Sequence, residues 1–86
     1  MDRADFKLAV VGLGYVGLPL AVEFSRKRPV LGYDTNLERV RALRNGKDST
    51  MEVSPSDLER AVNLSYTSDI HDLANCNVFF MPRFIK

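Results

Sequence analysis

The string Gly12-Leu13-Gly14-Tyr15-Val16-Gly17 lies between an apolar run, residues 6–11, and a stretch with helical spacing. Asp34 ends the next apolar run, 17 residues after Gly17. Each glycine meets a different demand. Gly12 permits a sharp turn out of a strand, Gly14 admits a pyrophosphate against bare backbone, and Gly17 lets a helix pack close to a sheet. The N–H groups at the helix start, near Tyr15 and Val16, would face the phosphates with the helix dipole behind them. A carboxylate at Asp34 can accept hydrogen bonds from a ribose 2′-OH and would repel a 2′-phosphate, which favours NAD over NADP. Its spacing is close to the roughly 20 residues usual for such an acid. FAD and S-adenosylmethionine sites use similar turns, so the glycines alone do not name the ligand.

The elements that must hold these residues alternate along the chain. Residues 6–11 read as a strand buried on both faces. A helix is expected over 15–27, with Val16, Leu20 and Phe24 on its buried stripe and Ala21 and Val22 beside it. Pro19 is tolerated near the first turn, where few N–H groups have intrahelical partners. Residues 29–33 form a second strand. Asn36 is expected to cap a second helix through Arg44, with Leu37, Val40 and Leu43 buried. Asn45-Gly46 is a helix stop. Residues 47–53 read as polar and irregular. Ser54-Pro55-Ser56-Asp57 is a helix start, with Ser54 as cap and Pro55 in the first turn, and that helix runs to about Val62. A third strand over 64–67, a brief helix over 69–74 capped by Ser68 or Thr67, and a fourth strand over 77–81 complete the order. Such alternation implies an α/β fold with a parallel sheet and right-handed crossovers. The expected architecture is a partial Rossmann fold, a doubly wound parallel sheet of strand order 3-2-1-4, in a single domain spanning 1–86.

The bulk properties narrow the class. Eighty-six residues make one domain at most, and 45% apolar against 27% charged residues is ordinary for a globular chain. A net charge of +1 gives no strong field for nucleic acid or an anionic membrane. Two basic clusters, Arg26-Lys27-Arg28 and Arg39, Arg41 and Arg44, read as solvated helix faces. Cys76 is the one cysteine, so no internal disulfide can form, which fits a reducing compartment. The first residues carry no apolar leader and no stretch approaches membrane-spanning length. A cytoplasmic location is expected.

The run Gly12-Leu13-Gly14-Tyr15-Val16-Gly17-Leu18-Pro19-Leu20-Ala21 resembles the N-terminal motif of the UDP-glucose/GDP-mannose dehydrogenases. The likeness extends through Gly32-Tyr33-Asp34-Thr35-Asn36, Arg39-Val40, Asn45-Gly46 and Thr67-Ser68-Asp69. Residues 46–53 look closer to the UDP-N-acetylhexosamine 6-dehydrogenase branch, which makes uronic acids for surface polysaccharides. The resemblance implies an NAD-dependent, four-electron oxidation of a nucleotide-sugar C6 alcohol to a carboxylate. It assigns Gly12, Leu13, Gly14, Tyr15, Val16 and Gly17 to the pyrophosphate turn and Asp34 to the adenosine ribose. Arg39 matches a basic residue beside the adenosine end, and by charge pattern it reads equally as a solvated helix arginine.

The resemblance stops near residue 80. The family continues into a Val-Pro-Thr-Pro segment, whereas this sequence reads Phe80-Met81-Pro82-Arg83-Phe84-Ile85-Lys86. The family's catalytic cysteine, its neighbouring lysine and asparagine, and its sugar-binding domain lie further along. The sequence therefore assigns no catalytic residue and no metal ligand. The chain is expected to be the NAD-binding portion of such an enzyme, truncated and inactive alone. UDP-sugar would bind only in the complete enzyme. The alternatives are a non-catalytic NAD-binding module and an interaction module. The apolar strand at 77–81 is expected to support self-association, with Arg83 and Lys86 as partial gatekeepers.

Other residues carry bland readings. Cys76 is a small packing residue with no histidine to activate it. His71 is a surface residue with no second ligand at metal spacing. Glu52 matches a family glutamate and reads at least as well as a solvated loop acid. Tyr33 and Tyr66 are strand residues, and Phe79, Phe80 and Phe84 are expected in the core.

Overall fold

The computed structural model describes residues 8–81. Among them, β1 (Leu8–Val11), β2 (Val30–Tyr33), β3 (Leu64–Thr67) and β4 (Val78–Phe80) form one parallel sheet ordered β3-β2-β1-β4. The helices are α1 (Gly17–Ser25), α2 (Leu37–Arg44) and α3 (Pro55–Arg60), with a 3-10 helix over Ile70–Asn75. The expected α/β class and strand order are both present.

The apolar runs form strands because the sheet buries both of their faces. Leu8, Val10, Val30 and Leu64 pack in one core with Leu18, Ala21 and Val22 of α1, Leu43 of α2 and Leu58 of α3. Ala9 and Leu31, one residue out of phase, join Cys76 and Leu73 in a smaller core on the other face. This is the period-two alternation of a strand. The chain steps outward from β1 to β2 to β3 and then returns past β1 to β4, so the last connection crosses the opposite face. The 3-10 helix is that connection.

Strand ends are level. Val11 pairs with Tyr33, and Tyr33 with Thr67. The ladder runs one step further, with Gly12 N–H donating to the Tyr33 carbonyl at 2.7 Å and Asp34 N–H to Thr67 at 3.1 Å. The glycine turn and Asp34 therefore leave the sheet side by side at its carboxyl edge, where open α/β sheets bind ligands.

Helix boundaries follow their local chemistry. Asn36 Oδ1 accepts from Arg39 N–H, and Ser54 Oγ accepts from Asp57 N–H. At the end of α2, Gly46 has φ +79°, its N–H donates to the Leu43 carbonyl, and Lys47 N–H donates to Ala42. These two bonds make a Schellman stop.

Four expectations need correction. The buried face of α1 is Leu18, Ala21, Val22 and Ser25, while Val16 is exposed. Apolar side chains surround this helix, so the sequence allowed two stripes, and the sheet selected the one that starts beyond the turn. Leu37 opens α2 in the exposed first turn instead of joining its buried stripe. Asp69, not Ser68 or Thr67, caps the 3-10 helix by accepting from His71 N–H, and Thr67 Oγ1 instead accepts from Asp69 N–H. Phe79 and Phe80 are exposed rather than core, because among the described residues β4 has a sheet neighbour on the β1 side only. Phe80 does stack edge-on against Phe24 at 5.8 Å. Phe84 lies outside the described residues.

Candidate functional site

The site begins with the backbone of the turn. Gly12 has φ +103°, a conformation that side-chain-bearing residues rarely adopt, which is why the turn needs glycine there. A Cβ added to Gly14 would meet no atom within 4 Å, so the backbone faces open space. Gly14, Tyr15 and Val16 are exposed, and Gly17 and Leu18 are buried where α1 enters the core. Val16 occupies the N-cap of α1 and supplies no side-chain hydrogen bond. The N–H groups of Gly14, Tyr15 and Val16 have no acceptor among the described residues. Such amides, with the positive end of the helix dipole behind them, are groups that can hold an anion.

Leu13 holds the turn in place. Its side chain is 0% exposed and presses on Gly32, where a Cβ would lie 3.0 Å and 3.1 Å from the two Leu13 Cδ atoms. Its N–H donates to Asp34 Oδ2 at 2.9 Å. Its carbonyl accepts from Arg39 Nε at 2.8 Å and from Nη2 at 2.5 Å. Asp34 Oδ1 accepts from Asn36 N–H at 2.9 Å, so both carboxylate oxygens are oriented by backbone. A carboxylate offers about four lone-pair sites, leaving two for other donors. Two hydroxyls of a ribose are donors of that kind.

Arg39 is not the solvated arginine that its charge pattern allowed. Its side chain is 9% exposed, and Nη1 pairs at 2.7 Å with Asp48, whose side chain is 0% exposed. Asp48 also accepts from Thr50 N–H and Oγ1, and from the amides of Glu52 and Val53. Burial alone would raise its pKa. The hydrogen bonds from the Thr50 side chain, Arg39 and the Val53 and Thr50 amides outweigh that and hold it down to about 2. Nearby, burial pushes the Tyr66 hydroxyl up to about 12 despite the opposing Arg39 charge. The sequence reading missed Asp48 inside a stretch taken as irregular. Its signal was an aspartate two residues before a threonine, the spacing of an Asx turn.

A profile of the UDP-glucose/GDP-mannose dehydrogenase family, NAD binding domain, matches residues 6–82. The chain belongs to that family. Relatives include UDP-N-acetyl-D-glucosamine 6-dehydrogenase of Pseudomonas aeruginosa, 57% identical over 90% of this chain and 18% of the relative. The Salmonella typhi enzyme of the same name is 44% identical over the same shares. A UDP-D-ManNAc dehydrogenase from Pyrococcus horikoshii superposes with a TM-score of 0.82 at 32% identity, over 90% of this chain and 20% of that one. The chain thus spans about a fifth of the length of these relatives.

The cofactor of this family's domain is NAD. The residues present fit it: space at Gly14, amides without acceptors at the start of α1, and a carboxylate with acceptor sites to spare. Other features lie elsewhere. A hollow of about 550 Å³, lined by Leu8, Phe24, Arg28, Pro29 and β4, opens toward the start of β1 and includes no residue of the turn. Cys76 is buried, and that burial pushes its thiol pKa up, the opposite of an activated nucleophile. His71 lies on the surface, its ring against Asp69. Glu52 is exposed. No described helix is long and apolar enough to cross a membrane.

Proposed function

We propose that the chain is the NAD-binding portion of a nucleotide-sugar dehydrogenase that oxidises the C6 alcohol of a UDP-N-acetylhexosamine or UDP-glucose to a uronate. The names of the relatives support the reaction class, and the 57% identity to a UDP-N-acetyl-D-glucosamine 6-dehydrogenase favours the N-acetylhexosamine. One observation carries the binding role. Asp34 grips the glycine turn through Leu13 N–H while its remaining lone pairs stay open beside the acceptor-free amides of Gly14, Tyr15 and Val16.

The residues then divide the work. The amides of Gly14, Tyr15 and Val16 take the diphosphate. Asp34 takes the adenosine ribose hydroxyls and repels a 2′-phosphate. Gly12, Leu13 and Gly17 shape the turn, and Arg39 braces it. NAD, when bound, supplies the hydride acceptor for the oxidation. The raised thiol pKa of Cys76, the chain's one cysteine, supports the reading that this chain alone turns over no substrate.

Calorimetry with NAD and an assay for NADH formation from UDP-N-acetylglucosamine test the reading. Binding weaker than low micromolar and no NADH are expected. Absence of any binding would remove the cofactor role, and NADH production would remove the proposed inactivity. The exposed apolar side chains of Val78, Phe79 and Phe80 also favour pairing of two copies through β4. Sedimentation should show mass rising with concentration, and a monomer throughout would end that part of the proposal.

A further inference from the structure

The clamp behind the turn has a direction of action. Leu13 C=O and Gly14 N–H belong to one planar peptide unit, so fixing the carbonyl fixes where that amide points. Arg39 fixes the carbonyl with two donors, Nε and Nη2. Arg39 is in turn fixed by Asp48 through Nη1, with Ser49 Oγ at 3.4 Å from the same nitrogen. Asp48 is itself immobilised by the Thr50, Glu52 and Val53 amides. The loop accepts a strained residue to do so, since Met51 has φ 60°. Val53, at the loop's end, is anchored in the main core. A rigid chain of contacts thus runs from the core to the amide at Gly14.

We propose that Asp48 is a positioning residue for the dinucleotide: by holding Arg39 on the Leu13 carbonyl, it aims the Gly14 amide at the diphosphate and withholds the guanidinium from a 2′-phosphate. This inference rests on the NAD-binding reading above. It adds a selectivity element to it, because the arginine that stands next to the turn is committed inward. Asp34 excludes the 2′-phosphate by repulsion, and Asp48 excludes it by removing the cation that would otherwise compensate.

The test compares NAD and NADP binding to the wild-type chain and to Asp48→Asn by calorimetry. Asparagine keeps the size but sets an NH2 group against the loop amides. NAD affinity should fall about tenfold, the size of one charge-assisted hydrogen bond. NADP affinity should hold or rise, so the preference for NAD shrinks by at least as much. A general loosening would weaken both ligands together, and that result overturns the inference. So does a folded variant with both affinities within about twofold of wild type.

A second measurement stands if Asp48→Asn does not fold. In the wild-type chain, the Arg39 Nε–H should exchange with solvent much more slowly than that of exposed Arg41. Equal exchange overturns the clamp even if NAD binds. Slow exchange with no NAD binding overturns the functional reading and leaves the clamp standing.

Discussion

The starts of α1 and α2 face the same edge of the sheet and treat their backbone amides in opposite ways. At α2, Asn36 accepts from Arg39 N–H, Asp34 accepts from Asn36 N–H, and Glu38 adds an acid in the first turn. At α1, the capping position is a valine, no acid stands in the first turn, and the amides of Gly14, Tyr15 and Val16 have no acceptor among the described residues. Valine is among the poorest N-caps and asparagine among the best. The difference shows that the chain can cap a helix well and leaves one uncapped at the glycine turn, where the proposed function puts the diphosphate. The closed start serves the open one, since Asp34 and Arg39 hold Leu13 from both sides.

The strongest way to break this contrast is to remove the brace behind it. Asp48→Ala leaves Arg39 charged, buried and unpaired, and strips the acceptor from three loop amides. Loss of one partner of a buried ion pair costs about 3–5 kcal/mol. Urea unfolding should show a loss of that order, and a change below about 1 kcal/mol would mean that the pair is not buried in solution.

Acid should undo the same brace. The Asp48 pKa lies at about 2 in the fold against an ordinary aspartate value of 3.8. A depressed carboxylate stabilises the fold above its unfolded pKa, and that stabilisation disappears as pH falls through the folded value. Stability should therefore drop by about 2 kcal/mol between roughly pH 4 and pH 2 on this account. Asp48→Asn should lose that slope, measured as the urea midpoint against pH; an unchanged slope would assign the acid sensitivity to other groups.

Two smaller changes sharpen the comparison at each helix start. Asn36→Ala should cost about 1 kcal/mol, the usual value of a cap. Val16→Asp should do the reverse at α1, adding about 0.5 kcal/mol through the helix dipole while it abolishes NAD binding by filling the anion site with its own charge. A Val16→Asp chain that still binds NAD as wild type would show that the diphosphate does not sit at this helix start. Thermal unfolding and calorimetry on the same samples read both effects.

Much of this contrast was legible in the sequence, for reasons that are local. A glycine turn after an apolar run, an acid at the end of the next run, and Asn36 and Ser54 before helical stretches each carry their meaning within a few residues. The strand order followed from the alternation of elements and the family likeness. What stayed hidden was tertiary. The exposed or buried state of Arg39 depends on Asp48, nine residues away across the Schellman stop. Leu13 looked like one more turn residue, and its packing against Gly32 exists only once β1 and β2 lie side by side. The buried face of α1 was ambiguous because Leu18, Leu20, Val22 and Phe24 surround it with apolar groups. The exposure of β4 reflects which neighbours it has, and its own composition says nothing of that.

The central claim is that the open start of α1 and the carboxylate of Asp34 together receive NAD. The most direct measurement is an NAD titration of the isotope-labelled chain followed by backbone amide resonances. The amides of Gly14, Tyr15 and Val16 should move together with that of Asp34, on one saturating curve, while β4 stays still. Resonances at the turn that remain fixed at millimolar NAD, or shifts confined to the hollow beside Phe24 and Phe80, would contradict the account.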